Sequence, residues 1–339
     1  MASVGTHSGT FHCDEALGCY LLKRTSQFKD AKIVRSRDPA VLQPLDAVLD
    51  VGGVYQPEHK RFDHHQRGFN ECFGHGFTTK LSSAGLIYKH YGREIVAAIM
   101  GLPIDHEDVS TVYLAAYRSF IEAVDAIDNG VDQYEGAGPR RYANNTHLSA
   151  RVAGLNPRWN EDLSSQEIDS RFQQAMQLTG REFEDSVDYL AKAWLPGRAI
   201  VEQSIQQRHE VDPSGQIMCL RDYAPWKSHI YDLEESLNVE PLIKFVLYED
   251  DREKAWRIQA VSVDAGSFQN RLSLPAAWQG LRDAELSEAS GIPNCIFVHA
   301  SGFIGGNRTY EGVLKMAQKA LEQSDASGTP DAKRAKAAA

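Results

Sequence analysis

The chain has few cysteines and no pattern among them. Cys13, Cys19, Cys72, Cys219 and Cys295 are odd in number, and no two stand as Cys-x-x-Cys. That excludes a disulfide framework or a thiolate zinc ribbon as the organising device, and it favours a reducing compartment. Long apolar runs are missing too. Ile95–Leu102 comes nearest, far short of the roughly 20 residues a membrane helix needs. The opening Met1-Ala2-Ser3-Val4-Gly5 has neither a signal-peptide core nor an Arg-rich transit pattern. The expected setting is therefore cytosolic or nuclear, with no membrane. Basic charge is also scarce: 46 acidic against 36 basic residues leave a formal charge of -10. This excludes the broad, non-specific grip on nucleic acid that basic proteins show, while leaving room for a local basic groove. An acidic balance also suits a site that gathers carboxylates around cations.

What is present is ordinary globular material. The 339 residues, 42% hydrophobic and 24% charged, are enough for two domains with a core each. Ser3–His7, Lys32–Arg35 and Asp46–Val51 read as strands, the last closed by Gly52-Gly53. Asp14–Arg24, Ser82–Tyr91, Ile95–Met100 and Val109–Ala126 read as helices. Strands alternating with helices predict an α/β fold whose N-terminal sheet is mainly parallel and flanked by helices. From Gln166 to Trp194, Ile168, Phe172, Met176, Thr179, Phe183, Val187, Leu190 and Trp194 recur at helical spacing, which predicts a long connecting helix. Pro196-Gly197 is read as its break. The expected division is residues 1–195, a smaller mixed α/β domain over 196–323, and a disordered tail over 324–339. In the second half, Gln216–Leu220, Leu242–Tyr248, Ala255–Val263 and Cys295–His299 read as strands, with a final helix from Thr309 to Glu322.

The chemistry concentrates in Arg61-Phe62-Asp63-His64-His65-Gln66. A carboxylate beside two imidazoles is costly near a core unless every polar atom finds a partner, and a metal would satisfy all three side chains. In an extended segment Asp63 and His65 share one face while His64 takes the other, unless the chain bends after Phe62. Three further clusters stand near predicted element ends: His7 with His12 and Asp14, then Asp50, then Glu122, Asp125 and Asp128 above Gly130. Singly, each has an ordinary explanation, such as a satisfied strand-end histidine, a carboxylate on a helix N-terminus or a turn cap. Ligands of open α/β sheets bind at the carboxyl ends of the strands, so these clusters are placed to converge. Carboxylates and imidazoles without thiolates suit Mn²⁺ or Mg²⁺.

In combination, Gly5–Leu17, Asp50-Val51-Gly52-Gly53, Asp63-His64-His65-Gln66, Thr79–Leu86, Val124–Gly130, Leu148–Val152 and Ile296–Met316 resemble the melanocyte-proliferating-gene family. That family looks like a branch of the Asp-His-His phosphoesterases, and the likeness covers nearly the whole chain except the tail. It implies two domains flanking a cleft and a metal-dependent 3′-to-5′ RNA exonuclease of nucleus and mitochondria. Carried over residue by residue, His7, His12 and Asp14 match the first metal-binding motif. Asp50 matches the carboxylate bridging two divalent cations, Mn²⁺ before Mg²⁺. His64 completes a metal shell, His65 faces substrate and Asp63 orients the pair. Asp128 is the choice for the remaining carboxylate, with Asp125 the alternative. The wider superfamily has aspartate where this chain has His12, and a shorter spacing from His7.

The second domain is expected to grip substrate. His299-Ala300-Ser301-Gly302-Phe303-Ile304-Gly305-Gly306-Asn307-Arg308-Thr309 is read as running from a strand end into a helix N-terminus. There Gly305 and Gly306 would let phosphate approach and Arg308 would clamp it. Arg140, Arg141, Arg151 and Arg158 are either a basic track for a nucleic-acid backbone or surface ion pairs. Three readings compete: an RNA phosphodiesterase, a hydrolase of pyrophosphate, cyclic dinucleotides or short oligonucleotides, and a non-catalytic metal-binding regulator. Pairing into a homodimer is compatible with each.

Overall fold

The computed structural model describes residues 1–134 and 142–327. Arg140, Arg141 and the tail beyond Ser327 lie outside the described residues. The chain divides into two compact units, Met1–Ala193 and the residues from Trp194 onward.

The first unit is built on strands β1 (Ser3–Thr6), β2 (Lys32–Arg35), β3 (Ala47–Leu49), β4 (Tyr55–Gln56) and β5 (Arg61–Phe62), in the order β2-β1-β3-β5-β4. Every pairing is parallel except that of β4 with β5. A hairpin of β6 (Cys72–Gly74) and β7 (Phe77–Lys80) follows. The helices are α1 (Cys13–Lys23), α2 (Pro39–Leu42), α3 (Ser83–Met100), α4 (Glu107–Ala116), α5 (Glu122–Asp128), α6 (Leu148–Ala153) and α7 (Ser165–Tyr189). α1 buries Ala16, Leu17, Leu21 and Leu22 and packs against α3 and α7. The apolar stripe of α7 is core: Phe172, Met176, Thr179, Phe183 and Val187 are all buried.

This topology decides where the chemistry goes. β1, β3 and β5 are neighbours running the same way, so the residues just past their carboxyl ends sit side by side. Those residues are His7, Asp50 and Asp63-His64-His65.

Helix boundaries depart from expectation in two places. Ser83–Met100 is one helix, because nothing in it breaks the pattern. The predicted Val109–Ala126 helix is divided between α4 and α5 by a wide i→i+5 turn over Tyr117–Ile121.

The second unit carries β8 (Ile217–Cys219), β9 (Phe245–Glu249), β10 (Trp256–Ala260), β11 (Cys295–Val298) and β12 (Ile304–Asn307), in the order β11-β12-β10-β9-β8. Its helices are α8 (Leu195–Gln206), α9 (Arg208–Val211), α10 (Ile230–Ser236), α11 (Asp283–Ser290) and α12 (Tyr310–Ser327). Successive residues of β9 point to opposite faces. Phe245 and Leu247 join one core with Trp278, Val313 and Met316, while Val246 joins another with Val201, Trp226 and Ile230. Pro196-Gly197 does not end a helix. It lies in α8 directly after a wide i→i+5 turn over Leu190–Trp194, a local widening of helical backbone that accommodates the proline without ending the helix. The final helix runs four residues into the segment expected to be disordered. Among the described residues no helix is long and apolar enough to cross a membrane.

Candidate metal centre

Asp50 is the hub. It follows β3 with a φ of +57°, a left-handed backbone that is uncommon for a residue with a side chain and that turns its carboxylate inward. One oxygen lies 3.2 Å from His7 Nε2. The other lies 3.3 Å from His64 Nε2 and 3.4 Å from His65 Nδ1. Ser83, at the start of α3, places its Oγ 3.1 Å from the same oxygen and donates its N–H to Asp14 Oδ2 at 3.3 Å. Asp14, on the first turn of α1, and Asp128, at the end of α5, flank His64 from the far side. Asp128 Oδ2 is 3.2 Å from His64 Nε2.

Three overlapping groups result: His7, His12, Glu15 and Asp50; Asp50, His64 and His65; and Asp14, His64 and Asp128. In each, the candidate ligand atoms lie within 4.8 Å of one another. All donors are oxygen or imidazole nitrogen. Cys13, next to Asp14, is in none of these groups, and burial pushes its thiol up to about 12.

The protonation balance shows what the cluster lacks. Burial, then the charges of Asp50, Asp128 and Glu15, push the Asp14 carboxyl well above its ordinary range. His7 is raised to about 9: burial opposes the imidazolium, but Asp50 and Glu15 outweigh it. His64 is raised for the same reason, with burial again overcome, chiefly by Asp50 and Asp128. Asp50 is lowered because the nearby His64 and His7 imidazoles outweigh its own burial. The site is short of positive charge and draws protons to supply it.

Two buried groups show that protons do so incompletely. His64 lies close to two carboxylates, yet neither ring nitrogen makes an aligned hydrogen bond, and Asp14 Oδ1 accepts none. Orphaned polar atoms are costly in a core, and a cation would satisfy both. The residues present therefore fit divalent metal.

Residues 3–321 match the family MYG1_exonuc, described as "Uncharacterised protein family (UPF0160)". The chain belongs to the MYG1 family. It is 51% identical to the human protein named MYG1 exonuclease over 326 residues, covering 94% of this chain and 86% of that one. It is 44% identical to the MYG1 protein YER156C of Saccharomyces cerevisiae over 323 residues, covering 94% and 95% of the two chains. Among solved structures, a pGpG-specific phosphodiesterase, PggH, from Vibrio aligns over 96% of this chain and 99% of its own at 15% identity. Its TM-score of 0.26 is too low to bear on fold or function.

In this MYG1 chain Asp63 stands beside the cluster and orients it. Its Oδ1 accepts from the His65 N–H at 3.0 Å and lies 2.8 Å from His65 Nδ1, while Oδ2 accepts from Gly53 N–H at 2.6 Å. The bend after β5 gathers all three residues of the motif, and His65 stays exposed. Asp125, the alternative to Asp128, is turned away from the cluster. Fully buried, it accepts from Ser82 N–H and Oγ, from Gly85 N–H and from the Tyr117 hydroxyl. It anchors the start of α3 and joins none of the three groups. Glu15 was missed by sequence reasoning. It caps His12 N–H at 2.8 Å, as glutamate at that helix position does, and also reaches His7 Nε2 at 2.9 Å.

The substrate grip expected in the second unit needs correction. Gly305 and Gly306 are not in a loop before a helix; they lie within β12, paired with both β10 and β11. A side chain at Gly305 would strike the Phe297 carbonyl at 3.0 Å and Leu274 at 3.1 Å, so close packing requires the glycine. The N-terminus of α12 is already capped: Asn307 Oδ1 accepts from Thr309 N–H, and Thr309 Oγ1 from Gly312 N–H, both at 3.0 Å. Arg308 is exposed, and its own N–H is bonded to the Asn294 carbonyl. His299 is exposed, with Nδ1 2.9 Å from Ser301 Oγ. Arg151 pairs with Glu182 of α7, and Arg158 lies in a turn closed by Glu161.

Proposed function

We propose that this chain is a divalent-metal-dependent phosphodiesterase, acting as a 3′-to-5′ exonuclease on RNA with Mn²⁺ as the preferred ion. The observation that carries the reading is the Asp50 carboxylate. It joins the His7–His12–Glu15 group to His64 and His65, and His64 in turn meets Asp14 and Asp128. Such linked groups can hold two cations sharing one carboxylate. Cations bound there would activate water and neutralise charge on the phosphoryl oxygens. The chain's own residues do the rest. Asp63 fixes the His65 ring through Nδ1, leaving Nε2 to hand a proton to the departing oxygen. Ser83 steadies Asp50 and Asp14 from α3. Burial of Asp14, Asp50 and His64 keeps competing water from the ligand shell. Relatives named MYG1 exonuclease support this reading.

The test is timed digestion of 5′-labelled and 3′-labelled RNA with Mn²⁺, with Mg²⁺ and with chelator, beside pyrophosphate and a linear dinucleotide. Mononucleotides should be released from the 3′ end only with metal present, and Asp50→Asn should abolish their release. Turnover of pyrophosphate or dinucleotide with RNA untouched would replace the RNA reading. Undiminished turnover in a folded, metal-loaded Asp50→Asn protein would remove the shared-carboxylate role.

A further inference from the structure

β2 sends two arginines to the loop that carries His7 and His12, and they are treated differently. Ser36 N–H continues the β1–β2 ladder to the Thr6 carbonyl at 2.8 Å, so Arg35 and Arg37, on either side of it, share a face. Both grip the loop's backbone. Arg35 donates to the Gly9 carbonyl at 2.7 Å and Arg37, through Nε, to the Ser8 carbonyl at 3.0 Å. There the likeness ends. The Arg35 side chain is 5% exposed, pairs with Asp169 at 3.3 Å and lies over the Phe172 ring at 4.6 Å. Its charge is neutralised and its role is bracing. Arg37 is exposed, and among the described residues no carboxylate lies within ion-pair distance of it. Its Nη2 sits 3.2 Å from His7 Nδ1, the ring nitrogen that does not face Asp50.

We propose that Arg37 is a phosphate-binding residue of the metal centre, contacting a non-bridging oxygen of the substrate. A guanidinium is always charged, donates only, and matches phosphate geometry with paired N–H groups. The Ser8 bond holds Arg37 at the rim of an acidic cluster, and Nη1 carries two further donors. A fixed cation there offsets the repulsion that the carboxylates would otherwise exert on an approaching anion. The Ser8 carbonyl that accepts from Arg37 Nε also lies 3.3 Å from His7 Nδ1, and this shared acceptor ties the guanidinium to the ligand shell without making it a ligand.

This inference takes its ligand class from the phosphodiesterase reading, so its test does not depend on turnover. Wild type, Arg37→Gln and Arg37→Lys are titrated calorimetrically with Mn²⁺, and then, Mn²⁺-loaded, with inorganic phosphate. Arg37→Gln should bind Mn²⁺ within about twofold of wild type but phosphate about 10- to 100-fold more weakly, the loss expected for a charge-assisted pair. Arg37→Lys should fall between the two. The Michaelis constant for whichever phosphoester is cleaved should rise with the phosphate constant in Arg37→Gln. Equal phosphate affinity in Arg37→Gln and wild type would overturn the proposal. So would Mn²⁺ affinity falling in step with phosphate affinity, which would make Arg37 a brace like Arg35, or a loaded wild type that binds no phosphate. Selective loss of phosphate binding in a chain that cleaves no phosphodiester would uphold Arg37 and refute the function proposed above.

Discussion

Adding one methyl group at Gly85 tests how the fold supports the metal centre. A Cβ there would fall 2.3 and 2.4 Å from the two Asp125 carboxylate oxygens, too close for either to stay. Asp125 is fully buried and cannot escape to solvent. Its displacement breaks at least two of the bonds it accepts from Ser82 N–H, Ser82 Oγ, Gly85 N–H and Tyr117. Burial raises the Asp125 carboxyl to about 7, so its bonds count at the ordinary value of about 0.5–1.5 kcal/mol each, and with overpacking at about 1–3 kcal/mol the loss is roughly 2 kcal/mol at its smallest. In a unit of 193 residues that lowers Tm by at least roughly 4–8 °C. The same shift moves Ser83 away from Asp50 and Asp14, so Mn²⁺ binding should weaken with it. The assay is calorimetric unfolding of Gly85→Ala with chelator and with Mn²⁺, beside a Mn²⁺ titration. A Tm within about 2 °C of wild type, with Mn²⁺ affinity intact, would refute the argument that Asp125 organises α3 and, through α3, the ligands.

Other substitutions separate roles that lie close in sequence. Asp128→Asn should weaken Mn²⁺ binding at least about tenfold without lowering Tm in chelator, since it relieves repulsion on Asp14; Asp125→Asn should lower Tm and leave Mn²⁺ affinity within about threefold. The reverse pattern in paired titrations and melts would exchange their assignments. The folded pKa of His7 is raised to about 9, so its proton stabilises the metal-free fold fully below the unfolded value near 6.5, and this support is lost as pH rises through about 9. In chelator the Tm gap between wild type and His7→Gln should therefore narrow from pH 6 to 9.5, and a constant gap would contradict this. Gly305→Ala should lower Tm, at a cost of about 1–3 kcal/mol, with Mn²⁺ and phosphate affinities unchanged. Loss of phosphate binding with no change in Tm would restore Gly305 to a ligand cradle.

The parts of the site legible in sequence are those where a polar residue interrupts an apolar pattern at the end of a strand. His7, Asp50 and the Asp-His-His turn all do so, and parallel topology then brings strand ends together without further information. Glu15 was hidden because a glutamate at the third position of a helix already has a sufficient local reason to be there. Asp125 and Asp128 share one helix end, and only the packing of α3 against Asp125 tells them apart. Gly305-Gly306 was misread because two glycines signal a turn locally, whereas here the neighbouring strand and Leu274 leave no room for side chains. Pro196-Gly197 was misread because proline ordinarily breaks a helix interior, whereas here a wide i→i+5 turn over Leu190–Trp194 just ahead of it lets helical backbone continue. Arg37 carries no motif at all, and its position beside His7 follows only from the register of β2 on β1.

The central claim is that Asp50 lies between two cations. Crystals grown with Mn²⁺, with anomalous data collected on either side of the manganese absorption edge, test it directly. Two manganese peaks are expected, one among His7, His12, Glu15 and Asp50 and one beside His64 near Asp14 and Asp128, with Asp50 oxygens reaching both. A protein that takes up Mn²⁺ elsewhere while these side chains keep only their protons would contradict it.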